Sequence, residues 1–181
     1  MKRNNRVQTI QHITEQFLNE FNRLSEEELN WKPAKHKWSI AQVMEHIIAV
    51  NESYFLIFDQ LEAGTYRKPL MAKIPFLPAF FGNLILKYVQ PDRKKKTRTL
   101  KIWEPSHSRI DPLVMDRFRT HQMELMQRIA SLEKLSDKNI IIGSPANKNI
   151  VYTLNRVFDI ITVHEERHLN QAKEVWLLKT S

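Results

Sequence analysis

His164 and His168 stand four residues apart in the run His164-Glu165-Glu166-Arg167-His168. Four residues make about one helical turn, so in a helix both imidazoles project from one face. Two imidazoles on adjacent turns can hold one divalent metal ion. A third ligand has to come from elsewhere, and His46, in a separate amphipathic segment, is the best-placed candidate. Three neutral imidazoles on one ion leave positions for water or substrate, the open arrangement of a catalytic zinc site. An ion held this way can lower the pKa of bound water, or hold a substrate thiolate beside an electrophile. Nickel, manganese, iron and cobalt accept the same ligands, and ligand type alone does not choose among them.

The run also matches the His-Glu-x-x-His pattern of zinc proteases, but the rest of that pattern is missing. Those enzymes take a third ligand downstream, and only thirteen residues follow His168. The extended form needs Gly at position 171 and His at 174, where this chain has Gln171 and Glu174. Glu165 is therefore not read as a catalytic base. Glu45, Glu165 and Gln171 are read instead as partners for the imidazole N–H groups. His12, His36, His107 and His121 have no partner spacing, and surface placement is expected for them.

Four helical segments must position the histidines. The first runs from about Asn5 to Leu24, with Val7, Ile10, Ile13, Phe17, Phe21 and Leu24 at helical spacing. A short capped turn follows at Ser25-Glu26-Glu27-Glu28. The second runs from Ser39, with Gln42 three residues on, to about Glu62 before Gly64. His46 adjoins its apolar stripe of Val43, Ile47 and Val50, and Tyr54 lies two turns beyond, where it could line a cavity. The third runs from Asp111, as N-cap with Pro112 at the first helical position, to about Leu132. The fourth runs from about Thr153 to Leu178, and His164 and His168 occupy core-facing positions of its stripe. Between the third and fourth, Ile140-Ile141-Ile142-Gly143 reads as a short strand or an extended loop.

The pattern implies one all-α domain over residues 1–181, a four-helix bundle with an insertion between helices two and three. Three glycines and an abundance of helix formers agree with it. Cysteine is absent, which excludes disulfides, zinc-thiolate sites and cysteine nucleophiles and fits a cytoplasmic protein. The greasy stretch from Ile74 to Val89 is interrupted by Pro75, Pro78 and Gly82 and carries Lys87, so it is too short to span a bilayer. The net charge is +8, with Arg93, Lys94, Lys95, Lys96 and Arg98 close together. No aromatic residue interleaves that run, so no nucleic-acid partner is expected, and no membrane partner either. The insertion from Tyr66 to Lys101 has two readings: a cover over the bundle with its charges solvated, or a lid with Phe76, Phe80 and Phe81 as an apolar pocket and its cations attracting an anionic substrate. Trp31 and Trp38 read as core anchors, with a pocket wall as the other reading.

Two stretches carry a resemblance. The first is Leu24-Ser25-Glu26-Glu27-Glu28-Leu29-Asn30-Trp31-Lys32-Pro33 followed by Lys37-Trp38-Ser39-Ile40 and His46; the second is His164-x-x-x-His168 followed by Gln171. Together they resemble the DinB/YfiT-like superfamily over nearly the whole chain. The resemblance implies an up-down-down-up bundle, often a homodimer, with a divalent metal on His46, His164 and His168; zinc or nickel comes first among the candidates. It also implies a small-molecule substrate. Members with assigned activities include metal-dependent transferases of low-molecular-weight thiols and a related isomerase, and others are classed as metal-dependent hydrolases. The expectation is thus a metal-dependent thiol transferase. Hydrolysis of a small substrate, or a non-catalytic metal- or ligand-binding module, are the alternatives.

Overall fold

Side-chain caps start three of the helices in this computed structural model, which describes residues 4–91, 99–111 and 113–181. Met1 to Arg3, the basic run Arg93 to Arg98, and Pro112 with its expected helix-starting role lie outside the described residues. The helices are α1 (Asn4–Phe21), α2 (Glu26–Asn30), α3 (Ile40–Glu52), α4 (Phe55–Glu62), α5 (Leu77–Val89), α6 (Val114–Leu132) and α7 (Leu154–Thr180). Ser25 and Ser39 each form a complete capping box, with Glu28 and Gln42 reaching back to the cap backbone. Thr153 caps α7 by accepting from the Arg156 N–H.

The chain is mostly helical, with one addition. The stretch expected as strand or loop is β1 (Ile141–Gly143), and it pairs antiparallel with β2 (Val151–Thr153), Ile142 facing Tyr152. Two helices differ from expectation. The segment from Ser39 to Glu62 is broken at Ser53 and Tyr54, giving α3 and α4. There the Ser53 hydroxyl donates to the Val50 carbonyl at 2.6 Å, a local bond that competes with the helical ladder. The third long helix starts at Val114, with Leu113 as N-cap and no side-chain cap. Asp111 does not cap it; its carboxylate accepts from the Leu113 N–H at 2.7 Å and folds the chain into a turn just before the helix.

Helices α1 and α3 each pack against both α6 and α7. Their apolar stripes build two clusters. One holds Ile13, Phe17, Val43, Ile47, Phe118 and Leu169, with Trp31, Trp38 and Trp176 at its edge. The other holds Tyr54, Phe58, Leu125, Tyr152, Phe158 and Ile161. Where the clusters meet, buried polar residues interrupt the apolar fill: Thr14, Asn51, His121, Gln122, His164 and Glu165. Burying so many polar groups is costly unless they pair with one another or with a ligand.

The insertion lies against the outside of α7. Gly82 lets α5 come close to β2 and α7, since a Cβ there would meet the Arg156 Cγ at 2.9 Å. Arg167 donates to the Tyr88 carbonyl at 2.8 Å and ties the far end of α5 down. No helix among the described residues is long and apolar enough to cross a membrane.

Candidate metal centre

Capping brings the three histidines together. The box at Ser39 fixes where α3 begins, and His46 then falls on its inward face beside Val43 and Ile47. On α7 the apolar stripe carries His164 and His168 inward one turn apart. The three rings are 3, 8 and 7% exposed, respectively. Their Nε2 atoms converge: His46 to His164 is 3.2 Å and His168 to His164 is 3.0 Å. Two nitrogens bound tetrahedrally to one zinc stand roughly 3.3 Å apart, from bond lengths of about 2.0–2.1 Å. The spacing therefore fits one ion facing three Nε2 atoms, and among the described residues this is the one group of three such side chains close enough to share an ion.

The protons point to the same conclusion. His46 Nδ1 lies 2.7 Å from the Trp103 carbonyl oxygen, which can only accept, so Nδ1 carries the hydrogen. His168 Nδ1 donates to Gln171 Oε1 at 2.9 Å. Both neutral rings therefore turn an Nε2 lone pair toward His164. A proton on His164 Nε2 could satisfy one neighbour and not both, and His164 Nδ1 has no hydrogen-bond partner. Protonating further does not solve the problem. Burial pushes His46 down to about 4, with the Trp103 hydrogen bond opposing. It pushes His164 and His168 well below the usual range, and the neighbouring histidines lower them more. Lone pairs facing each other in a dry site are what a cation relieves.

Trp38 closes one side. Its ring centroid is 4.8 Å from that of His46 and 6.3 Å from that of His168, nearly parallel to the latter. Both readings of Trp38 hold, since it also packs on the apolar cluster. A second side is covered by the stretch before α6. Trp103 lies on a short 3-10 turn at Lys101–Trp103. The next residues are gripped from α3, where Gln42 Nε2 donates to the His107 carbonyl at 2.8 Å and Glu45 accepts from the Ser106 N–H at 2.9 Å.

Of the three expected imidazole partners, only Gln171 fills that role. Glu45 holds Ser106 instead. Glu165 points away from the histidines because adjacent helical residues are rotated by about 100°. It is fully buried and accepts from Asn51 Nδ2 at 2.7 Å and Gln122 Nε2 at 2.9 Å. Burial raises its pKa to about 7, while the two amides pull the other way. Trp103, whose carbonyl orients His46, was not anticipated; a backbone acceptor leaves no side-chain signal to find.

Other expectations are corrected. His121 is not at the surface: it is buried, accepts from Asn51 Nδ2 at 3.2 Å and stacks on Phe55. Its pKa falls to about 4 through burial. His12, His36 and His107 are exposed, as expected. Tyr54 lies in the second apolar cluster, where its hydroxyl pairs with that of Tyr152 at 2.8 Å, so it does not line the histidine site. Phe76 and Phe80 face outward, 68 and 56% exposed, while Phe81 is half-buried with its ring against Phe80.

Residues 9–172 match the family model of the DinB superfamily. The chain is similar to the uncharacterized protein YuaE of Bacillus subtilis (strain 168), 29% identical over 158 residues, 87% of this chain and 88% of that protein. No solved structure matches it.

Proposed function

Since the chain belongs to the DinB superfamily, we propose that it is a metal-dependent enzyme whose divalent ion is held by His46, His164 and His168. The carrying observation is the convergence of three buried Nε2 atoms with no set of protons that satisfies them. Zinc or nickel suits three imidazoles best, with manganese, iron and cobalt compatible. The bound ion would activate a thiol or a water molecule for attack on a small electrophile. Thiol transfer from a low-molecular-weight thiol is the leading reaction, on family grounds, and hydrolysis the alternative.

The chain's own residues do the preparation. Burial keeps the imidazoles neutral at pH 7, so their lone pairs are available. The Trp103 carbonyl and Gln171 fix the tautomers of His46 and His168 and aim their Nε2 atoms. Trp38 shields one side of the cluster from water. The packing of α1 and α3 on α6 and α7 supports a four-helix bundle in up-down-down-up order as the scaffold. On the same reading the chain is one domain, cytoplasmic and homodimeric.

The test is elemental analysis of the purified, untagged protein beside His46→Ala and His164→Ala. Near-stoichiometric metal in the wild type, lost from both variants while they stay folded, is the expected result. Turnover that depends on added thiol then selects transfer, and ester or amide turnover without thiol selects hydrolysis. A wild type that takes up no zinc, nickel or manganese sinks the metal reading.

A further inference from the structure

Outside the histidine site, the least explained feature is the outer face of α5. Phe76, Phe80 and Leu84 recur at intervals of four, so they share one side of the helix. They are 68, 56 and 38% exposed. The opposite side carries the buried Pro78 and Gly82. Exposed apolar side chains scattered singly are ordinary, but a continuous stripe marks an interaction surface. Just before α5, Leu70 and Ile74 extend it. Lys87 lies on the same side of the helix, three residues beyond Leu84.

Charge says what covers the stripe. Arg67, Lys68 and Lys73 just before α5, and Lys87 on it, are all exposed. Residues 63–91 and 99–103 contain no Asp or Glu at all. A second copy of the chain would place this same cationic patch against itself, as a two-fold interface must. A duplex nucleic acid would meet the cations but leave the leucines and phenylalanines in water. A helix with Phe and Leu on one face and Lys and Arg beside it suits a surface that is anionic outside and apolar just beneath.

We infer that α5 is an interfacial docking helix that seats this protein on anionic lipid bilayers, with Phe76, Phe80 and Leu84 in the acyl boundary and the flanking cations among the headgroups. The expectation of no membrane partner rested on the stretch from Ile74 to Val89 being too short and interrupted to span a bilayer, which does not bear on a helix lying on the surface. Docking is independent of the metal reading, because α5 contributes nothing to the histidine cluster.

The experiment is co-sedimentation of the full chain with vesicles of phosphatidylcholine alone and of phosphatidylcholine mixed with phosphatidylglycerol. Binding to the mixed vesicles should exceed binding to the neutral ones by about tenfold or more and fall as salt is raised. The double substitution Phe76→Ser, Phe80→Ser should lower it by about tenfold, and so should Lys73→Glu with Lys87→Glu, each with an unchanged helical signal. Binding that ignores lipid charge, or that survives both pairs of substitutions, overturns the inference. So does a wild-type dimer that Phe76→Ser, Phe80→Ser turns into a monomer in sedimentation velocity, which assigns the face to a second copy. Tight binding to double-stranded DNA without binding to vesicles overturns it as well.

Discussion

His164 and Glu165 are neighbours on α7 and belong to opposite kinds of buried polar cluster. Around Glu165, donors face acceptors: Asn51 and Gln122 each give an N–H to the carboxylate, and Gln122 also bonds the Thr14 hydroxyl at 3.1 Å, while Asn51 Oδ1, Gln122 Oε1 and His121 Nδ1 have no hydrogen-bond partner. Around His164, acceptors face acceptors. The first cluster joins α1, α3, α6 and α7 by donor-to-acceptor hydrogen bonds within the chain. The second has the same burial and turns imidazole nitrogens toward one point, an arrangement that suits a cation. Neither burial of polar groups nor an orphaned polar atom is thus itself a sign of function; the sign is three ligand atoms of one kind converging on one point.

The difference can be broken first at His164. His164→Ala should abolish metal retention, with content falling from near one ion per chain to background by elemental analysis while the helical signal persists. If the variant keeps its metal, the two clusters are not different in kind.

Acid separates them next. Below about pH 6.5 the unfolded chain protonates histidines that the fold keeps neutral down to about 4 at His46 and His121. Stability of the metal-free protein is therefore lost as pH falls through that window, by up to about 1.4 kcal/mol per pH unit for each such histidine. Glu165 works in the opposite sense. Its folded pKa of about 7 lies above the ordinary 4.5, so it gains stability as pH falls between those values. Four lowered histidines outweigh two raised carboxyls, Glu165 and the exposed Glu52, and urea unfolding at pH 7 and pH 5 should show the weaker fold in acid. A flat or rising profile would mean the histidines are not held neutral.

Glu165→Ala sharpens the comparison from the other side. It strands the Asn51 and Gln122 amides, which should cost about 2–4 kcal/mol in chemical denaturation, with metal content unchanged. Loss of metal in this variant would merge the two clusters into one functional unit. The smallest effect is expected at Gln171, which touches only an outer ring nitrogen. Gln171→Leu should weaken metal affinity by about 10–100-fold in competition with a chelator, and leave the urea midpoint of the metal-free protein nearly in place.

Much of this was legible in the sequence because it rests on local signals. The serine caps at Ser25 and Ser39, the stripe of α7 and the four-residue spacing of His164 and His168 depend on neighbours in the chain. Glu165 and His121 were misplaced although a signal existed: each continues an apolar stripe, Glu165 between Ile161 and Leu169, His121 between Phe118 and Leu125. Polar residue type was allowed to outweigh position. The break at Ser53, the delayed start of α6 and the Trp103 carbonyl were not readable in the same way. They depend on hydrogen bonds made by particular backbone groups, which sequence spacing does not encode. The outward turn of Phe76 and Phe80 was likewise hidden, since which face of α5 meets α7 is decided by Gly82 and Arg156 in three dimensions.

The strap at 103–107 has one more consequence. Gln42, Glu45 and His46 all hold it from α3, and two of the four bonds run to its carbonyls. Ordering of the strap and occupancy of the centre are therefore thermodynamically linked, and the linkage is reciprocal. An ion that locks the His46 ring should slow amide hydrogen exchange along the strap, and any ligand that presses the strap into place should tighten the ion by the same factor.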